Sequence, residues 1–252
     1  MHRLIINPKY EHWRPMIASI PQTFDHISEV LRDRRNVIKV TAAPDGTRLN
    51  VKRFHKPQFP NNYVYAWHIR QPKGIRALFH AYILQGLGIE TPEPVAYIEE
   101  RHEGALGLSY FVSLQCPYTH RLYELGDAPE GSYEEITDAL ARFTAKMHDH
   151  GALHLDYSPG NILWEKIDGE YHFSLVDTNR MYFGVVDMEK GCANFARLWG
   201  PKRLFCRLAR TYAEERQMDA DECERLILLY RKRFWKKYVH KHKNDIEFTL
   251  EL

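Results

Sequence analysis

The sequence predicts an α+β fold of two lobes, in which a small N-terminal β-sheet lobe with one helix precedes a mainly helical C-terminal lobe. Strand patterns and a single helical pattern occupy the chain up to about Cys116, whereas helical periodicity dominates after it. Between Leu114 and Tyr118 an apolar strand gives way to the polar stretch "QCPYTH". A chain of 252 residues is long enough for two lobes. We therefore place the N-lobe at residues 1–115 and the C-lobe at residues 116–252.

A β-hairpin is the clearest element of the N-lobe. The apolar residues at 37–40 lead into a Pro-Asp-Gly turn at 44–46, and "TRLNVKRF" returns with alternating apolar residues. The segment "PKGIRALFHAYILQGLGI" has helical periodicity and ends at Gly86 or Gly88. Its apolar stripe consists of Ile75, Leu78, Phe79, Tyr82 and Ile83. Residues 91–117 then predict two further strands joined by a loop that contains glycine.

A long helix opens the C-lobe. The segment "SYEEITDALARFTAKMHDHG" begins with Ser132 and Glu135 at capping-box spacing, and Gly151 closes the helix. Its apolar residues recur at three- and four-residue steps and are Ile136, Leu140, Phe143 and Met147. A hairpin that turns at Asp168-Gly169 comes later, and the amphipathic segments "FCRLARTYAEERQ" and "DECERLILLYRKRFWKKYV" predict two further helices.

The composition is that of an ordinary folded protein, with 44% hydrophobic residues, 27% charged residues and a net charge of +2. The four cysteines include neither a CxxC pair nor the spacing of a zinc site, so we expect reduced thiols in a cytoplasmic protein. The first 20 residues do not have the pattern of a signal peptide. No apolar stretch approaches the roughly 18 residues of a membrane helix.

The segment "GALHLDYSPGNILWEK" combines functional polar side chains with apolar ones. His154, Asp156 and Asn161 lie in it, and Asp177 ends the next apolar strand, "FSLV". The residues that we expect to anchor the segment in the core are Leu153, Leu155, Ile162 and Leu163. Phosphoryl transfer uses one carboxylate to accept or orient the attacking hydroxyl, and another with an amide oxygen to hold Mg²⁺. A capped turn would use the same residue types, but the separate Asp177 in a two-lobed chain favours phosphoryl transfer.

The motifs "HLDYSPGNIL" and "VDTNR" resemble the catalytic and metal loops of protein-kinase-like phosphotransferases, whose patterns are H-x-D-x-x-x-x-N and D-x-G. The match is closest to the lipopolysaccharide kinases that phosphorylate Kdo or heptose in the lipid A–core region. Those enzymes have a Tyr-Ser-Pro-Gly-Asn loop and an Asp-x-Asn-Arg motif. The resemblance covers roughly residues 36–182. It implies a protein-kinase-like fold, ATP and Mg²⁺ as cofactors, and a glycolipid acceptor of the lipid A–Kdo type.

The resemblance also implies roles for individual residues. Asp156 would be the catalytic base, and His154 would brace the catalytic loop by hydrogen bonds. Asn161 and Asp177 would be the Mg²⁺ ligands. Arg180, which follows in "DTNR", would either touch the acceptor or pair with a carboxylate.

The nucleotide-binding residues follow from the same resemblance. Lys52, on the strand after the Pro-Asp-Gly turn, would neutralise nucleotide phosphate charge. Its side chain faces the cleft if Val51 and Arg53 share the other face of the strand. The hinge whose backbone meets adenine would be Leu114, Gln115 and Cys116.

The chain departs from the kinase pattern in its nucleotide-binding half. No Asp or Glu occurs between Lys52 and Glu90, so the usual ion pair with a helix glutamate is absent or is made differently, for instance by Lys52 with Asp177. No glycine precedes residue 46, so no Gly-rich loop covers the phosphates, and the arginines at 34 and 35 are candidate substitutes.

Residues 230–244, "YRKRFWKKYVHKHKN", are rich in lysine and arginine and contain no acidic residue. One interpretation is a solvated helix face. The other is a basic aromatic face on anionic lipid or a phosphorylated glycolipid, where each Lys or Arg contributes about 1 kcal/mol. The contacting residues would be Arg231, Lys232, Lys236 and Lys237. No other motif supports binding of nucleic acid.

These features predict an ATP- and Mg²⁺-dependent kinase that phosphorylates a sugar hydroxyl of a lipopolysaccharide precursor. The resemblance implies a cytoplasmic enzyme that works at the inner face of the inner membrane. Leu155 stands where phosphorylation-regulated kinases have Arg, so we do not expect control by activation-loop phosphorylation. Two alternatives remain open: a pseudokinase-like module that binds a nucleotide or a partner without catalysis, and a kinase acting on protein Ser/Thr or another small sugar.

Overall fold

The computed structural model describes residues 2–33, 36–57, 71–102, 105–126 and 128–241. The chain forms two compact units, one comprising Met1–Pro117 with Asp177–Asn179, and the other Tyr118–Val176 with Arg180–Leu252. The first division falls two residues beyond the predicted boundary, and the short segment that begins at Asp177 belongs to the first unit. The arginines at 34 and 35 lie outside the described residues.

The first unit contains six strands, which are β1 (His2–Ile6), β2 (Glu29–Asp33), β3 (Val37–Ala42), β4 (Arg48–Phe54), β5 (Pro94–His102) and β6 (Ala105–Leu114). They form one antiparallel sheet in the order β1-β5-β6-β4-β3-β2. The predicted hairpin is β3–β4, and Gly46 provides the positive φ of +87° that its turn requires.

The N-terminal segment adds elements that the sequence patterns do not reveal. Besides β1 and β2 it contains the helix α1 (Arg14–Thr23), whose Ile17 and Ile20 pack against one face of the sheet together with Leu49 and Val51. The two prolines within α1 obscure its helical signal, because proline removes a backbone donor. The first unit therefore has this helix in addition to the predicted one.

The predicted helix after the hairpin is α2 (Lys73–Gly86), and Gly88 follows its end with a φ of +67°. Its predicted apolar stripe is partly wrong, because Phe79 and Ile83 are each 43% exposed. The buried face instead consists of Gly74, Ile75, Ala77, Leu78, Ala81 and Leu84. Small residues are favoured on this face because the Tyr97 ring of β5 packs directly against the Gly74 backbone.

The second unit contains short strands and longer helices. Its elements are β7 (His120–Arg121), α3 (Glu134–Asp149), β8 (Ala152–His154), β9 (Ile162–Ile167), β10 (Glu170–Leu175), β11 (Met181–Phe183), α4 (Met188–Asn194), α5 (Lys202–Glu215) and α6 (Ala220–Lys241). The hairpin β9–β10 turns at Asp168-Gly169, as predicted, and both turn residues have positive φ.

The predicted capping box of α3 is wrong. The Glu134 side chain accepts hydrogen bonds from the backbone N–H groups of Gly131 and Tyr133, whereas the Ser132 hydroxyl donates to the Pro129 carbonyl. Glu135 points away and pairs with a lysine. Both Ser132 and Glu134 can accept hydrogen bonds from backbone N–H groups at the start of the helix. The local sequence therefore allows either residue to cap it.

The Arg231 side chain does not belong to the basic face that was predicted for it. It is 1% exposed, donates a hydrogen bond to the Gly200 carbonyl at 2.7 Å, and lies 4.3 Å from the centre of the Phe205 ring. Arg231 lies on the buried face of α6 with Ile227 and Trp235, so the prediction that it contacts lipid is wrong. Lys232, Lys236 and Lys237 are exposed.

The described residues contain no helix that is long and apolar enough to cross a membrane. None of the four cysteines, all of which lie in the described ranges, forms a disulfide bond. The observed combination of a sheet-rich unit and a mainly helical unit is the predicted α+β class.

Candidate active site

His154 lies at the end of β8 and is completely buried. Its Nδ1 atom accepts a hydrogen bond from the Asp156 backbone N–H at 3.1 Å, and its Nε2–H group donates to the Val176 carbonyl at 3.1 Å. Because one ring nitrogen accepts and the other donates, these bonds require the neutral ring with its proton on Nε2. They join the catalytic loop to the segment that precedes Asp177, as a bracing role requires.

Asn161 closes the loop that begins at Asp156. Its side-chain amide donates to the Asp156 carbonyl at 2.9 Å, and its own carbonyl accepts a hydrogen bond from the Val176 backbone N–H at 3.0 Å. The amide nitrogen is therefore occupied with holding the loop. The side-chain oxygen is the atom that suits a metal ion.

The apolar anchors of this loop differ in part from those predicted. Leu153 and Ile162 are buried, but Leu155 is 57% exposed. Tyr157 takes the core position instead, completely buried with its hydroxyl 2.7 Å from the Thr144 hydroxyl. The chain leaves β8 after His154, so strand alternation does not continue to Leu155.

A buried polar network that the sequence does not reveal supports the loop from α3, α4 and α5. The Asn194 amide donates to the His154 carbonyl at 2.9 Å, and the Asn194 side-chain oxygen accepts from His148 Nε2 at 3.1 Å. The other ring nitrogen of His148 accepts from the Tyr212 hydroxyl at 2.8 Å. Burial lowers the pKa of His148 to about 4, so the ring is neutral at pH 7.

We expect His148 to make the protein less stable in mild acid. The unfolded chain takes up the proton below a pKa of about 6.5, whereas the folded protein does so only near 4, so stability present above pH 6.5 is lost as the pH falls. Between pH 7 and pH 5 the free energy of unfolding should fall by on the order of 1–2 kcal/mol. In urea unfolding, the free energy of unfolding should fall less between pH 7 and pH 5 for His148→Gln than for the wild type or for the control His26→Gln, at an exposed position. Equal falls in all three proteins would contradict this.

Lys52 and Asp177 form an ion pair within the first unit. The Lys52 side chain is buried, and its Nζ atom lies 2.6 Å from Asp177 Oδ1. Arg53 points to the opposite face of β4, where it pairs with Asp25. Lys52 therefore lies on the face of β4 opposite Arg53, and Asp177 supplies a carboxylate where kinases use a helix glutamate. That Lys52 faces a nucleotide in the cleft stays a prediction.

Asp177 has a left-handed backbone with a φ of +58°, a conformation that Asp tolerates better than most residues. The segment it begins is attached to α2, because the His80 ring nitrogen Nδ1 donates to the Thr178 carbonyl at 2.7 Å. Burial lowers the pKa of His80, so this donor belongs to a neutral ring. The sequence alone assigns no role to His80. Its hydrogen bond to Thr178 explains why Asp177–Asn179 belong to the first unit.

The predicted hinge residues use part of their backbone within the first unit. The Leu114 N–H donates to the Glu93 carbonyl and the Gln115 N–H donates to the Arg48 carbonyl, both at 2.9 Å. Cys116 is buried, and its carbonyl accepts from the Gln115 side chain. The contact of this segment with adenine stays a prediction. It would have to be made by backbone groups other than the N–H groups of Leu114 and Gln115.

Two arginines contact the Asp156 carboxylate. Arg197 pairs with Asp156 Oδ1, and Arg180 Nη1 lies 3.6 Å from Oδ2. For Arg180 this geometry favours the carboxylate pairing, the second of the two predicted possibilities. The segment "NFARLWG" that contains Arg197 carries no motif, so a sequence-based search has no reason to select it.

Mg²⁺ prefers oxygen ligands and usually takes one or two carboxylates together with substrate phosphates. The Asp177 carboxylate of the first unit and the Asn161 amide oxygen of the second are oxygen donors of this type, and a shared ion stays a prediction. The described residues contain no cluster of three or more His, Cys, Asp or Glu side chains that could hold a metal by themselves.

Comparisons with known proteins show the family and the fold of the chain. The model of the "Lipopolysaccharide kinase (Kdo/WaaP) family" matches residues 62–230, more than half of the chain. The structure titled "WaaP in complex with acyl carrier protein" is similar with a TM-score of 0.61 and 19% identity over 94% of this chain and 99% of that one. The structure of the "Amicoumacin kinase hAmiN in complex with AMP-PNP, Ca2+ and Ami" has a TM-score of 0.60 and 13% identity over 96% and 88%. No curated protein sequence is a significant match. The structural similarities show a kinase-like fold.

Proposed function

The chain belongs to the lipopolysaccharide kinase (Kdo/WaaP) family and is therefore a sugar kinase of lipopolysaccharide, and we propose that it transfers the γ-phosphoryl group of ATP to a hydroxyl of a Kdo–lipid A acceptor with the help of Mg²⁺. The observation that carries the residue assignment is the closed loop in which His154 and Asn161 hold the Asp156 backbone. A loop held in this way keeps one carboxylate in a constant position. Catalysis by positioning of the reacting groups requires this.

In this proposal Asp156 accepts the proton of the attacking hydroxyl, and Lys52 neutralises charge on the nucleotide phosphates. Asn161 and Asp177 hold Mg²⁺, which supplies charge neutralisation on the transferred phosphoryl group. His154 keeps the loop in position. Support for a nucleotide and a divalent ion comes from the similar amicoumacin kinase, which is in complex with AMP-PNP and Ca²⁺ in its structure.

The direct test is transfer of label from γ-³²P-ATP to Kdo–lipid A, with Asp156→Asn as the inactive control. We expect labelled glycolipid with the wild type only, and loss of the label when Mg²⁺ is chelated. Equal incorporation by the wild type and the variant would reject the assignment.

A binding module without catalysis is the second candidate, and a specific observation favours it. The Lys52 ammonium is paired with Asp177, whereas α2 lacks the glutamate that pairs with this lysine in kinases. A ligand at 100 times its Kd stabilises the native state by about 2.7 kcal/mol. Millimolar ATP with Mg²⁺ should therefore raise the melting temperature of a kinase, and no shift would support a module that binds a partner. A shift without phosphoryl transfer would support a module that binds a nucleotide. Activity that survives without any lipid acceptor would instead support a protein Ser/Thr or small-sugar substrate.

We also propose that the enzyme works in the cytoplasm at the inner face of the inner membrane, with α6 against anionic lipid. The exposed residues Lys232, Lys236 and Lys237 supply the charge. Each contributes about 1 kcal/mol near such a surface, so replacing all three by Gln should weaken binding by about a hundredfold. Co-sedimentation with vesicles that contain anionic lipid measures this. The same triple change at Lys166, Lys190 and Lys202 is the control, and equal binding of both triple variants would contradict the proposal.

A further inference from the structure

The charges around Asp156 do not balance. Both Arg180 and Arg197 lie at its carboxylate, one at each oxygen. Among the described residues, no other carboxylate lies within ion-pair distance of either guanidinium. Two positive charges therefore share one negative charge, and the catalytic loop carries a local excess of one positive charge.

The backbones of both arginines have defined positions beside this loop. The Arg180 carbonyl accepts a hydrogen bond from the Leu155 N–H at 2.9 Å, which continues the pairing of β8 with β11 up to the catalytic loop. Arg197 ends the short 3₁₀ helix Phe195–Arg197. This helix directly follows Asn194, whose side-chain amide donates a hydrogen bond to the His154 carbonyl. Backbone hydrogen bonds therefore bring both arginines next to the Asp156 loop.

The Arg197 guanidinium also has an aromatic support. It lies 5.3 Å from the centre of the Phe234 ring of α6, and Phe234 stacks on Tyr238. The Arg197 side chain is 37% exposed, so its charge is partly removed from water, and this burial lowers its pKa. A partly desolvated cation gains more from an anion than a solvated one does.

The acceptor sugar must come close to these side chains. If Asp156 takes the proton of the attacking hydroxyl, that hydroxyl lies within about 3 Å of the carboxylate. Arg180 and Arg197 lie within ion-pair distance of the same carboxylate, so a substituent next to the hydroxyl is within their reach. Guanidinium groups bind carboxylates and phosphates with paired hydrogen bonds that a neutral substituent cannot make.

We infer that Arg180 and Arg197 form an oxyanion-binding subsite that recognises an anionic group of the acceptor beside the hydroxyl that is phosphorylated. This inference rests on the proposed function, because it uses Asp156 as the point where the acceptor binds. The shared chemistry is a carboxylate or a phosphate, and its two sources are the sugar acid of the acceptor and the phosphates of lipid A.

The test is binding of acceptor analogues measured by titration calorimetry in the absence of nucleotide. The analogues are Kdo–lipid A, its Kdo methyl ester, and the form without lipid A phosphates. With the wild type, loss of the recognised anion should weaken binding at least about tenfold. Arg180→Gln and Arg197→Gln should each weaken binding of the intact acceptor by a similar factor. Each variant should bind the analogue without that anion as tightly as it binds the intact acceptor. Arg203→Gln, at an exposed ion pair with Glu130, is the matched control and should behave as the wild type.

The outcomes separate the inference from the proposed function. Sensitivity to the ester identifies the sugar carboxylate, and sensitivity to dephosphorylation identifies the phosphate. Equal wild-type binding of all three analogues, or no binding at all, would overturn the inference even if the acceptor is phosphorylated. Equal loss of kcat in the arginine variants on acid and ester acceptors would assign the guanidiniums to the transferred phosphoryl group and overturn it too. Anion-dependent binding without any turnover would reject the proposed function and leave the subsite standing.

Discussion

Replacing Asp156 by Asn is expected to lower kcat for sugar phosphorylation by about two to four orders of magnitude, the usual contribution of a positioned general base. Asparagine has nearly the same shape but does not accept a proton at neutral pH. The loop should keep its form, because the hydrogen bonds that hold residue 156 use its backbone: its N–H donates to His154 and its carbonyl accepts from Asn161. The KM for ATP should therefore change little.

The matched control is Asp168→Asn, at the tip of the β9–β10 hairpin. Asp168 has a φ of +51°, a conformation that Asn also tolerates, so this variant should fold and react as the wild type. Initial rates over a range of ATP and acceptor concentrations give kcat and KM for each protein. A kcat for Asp156→Asn within about threefold of the wild type would exclude a role as general base.

The second large effect is expected at the Lys52–Asp177 pair. Replacing Lys52 by Met leaves the mostly buried Asp177 carboxylate without its ammonium partner 2.6 Å away. Removing one member of such a pair costs more than the pair itself contributes, here about 1–3 kcal/mol in the free energy of unfolding. The double variant Lys52→Met with Asp177→Asn removes both charges and should recover part of this loss.

Urea unfolding of the four proteins in this cycle measures the coupling, which should be at least about 0.5 kcal/mol for groups in contact. Nucleotide binding is the second measurement, since the stabilisation by ATP with Mg²⁺ should disappear in both single variants. Lys39→Met, on the neighbouring strand β3, is the control because its ammonium bonds to the carbonyls of Asp25 and Ile27 instead. Strictly additive effects on stability together with an unchanged nucleotide shift would contradict the proposed role of the pair.

Local chain chemistry predicted a large part of the fold. The hairpins β3–β4 and β9–β10 follow from turn residues that accept positive φ, and the helices α5 and α6 follow from their apolar periodicity. The cap of α3 and the exposed position of Phe79 were not predictable in this way, because several local solutions have similar energy and packing chooses among them.

By itself, the sequence determined the α+β class, the loop that contains His154, Asp156 and Asn161, and the position of Lys52 on β4. These features depend on neighbours a few residues apart along the chain, so a local pattern contains them. Only the tertiary structure decided that Lys52 pairs with Asp177, that Arg231 is buried, and that Arg197 lies at the Asp156 carboxylate. Such contacts join residues far apart in the chain, and they form because burial and charge pairing are satisfied in the whole fold at once.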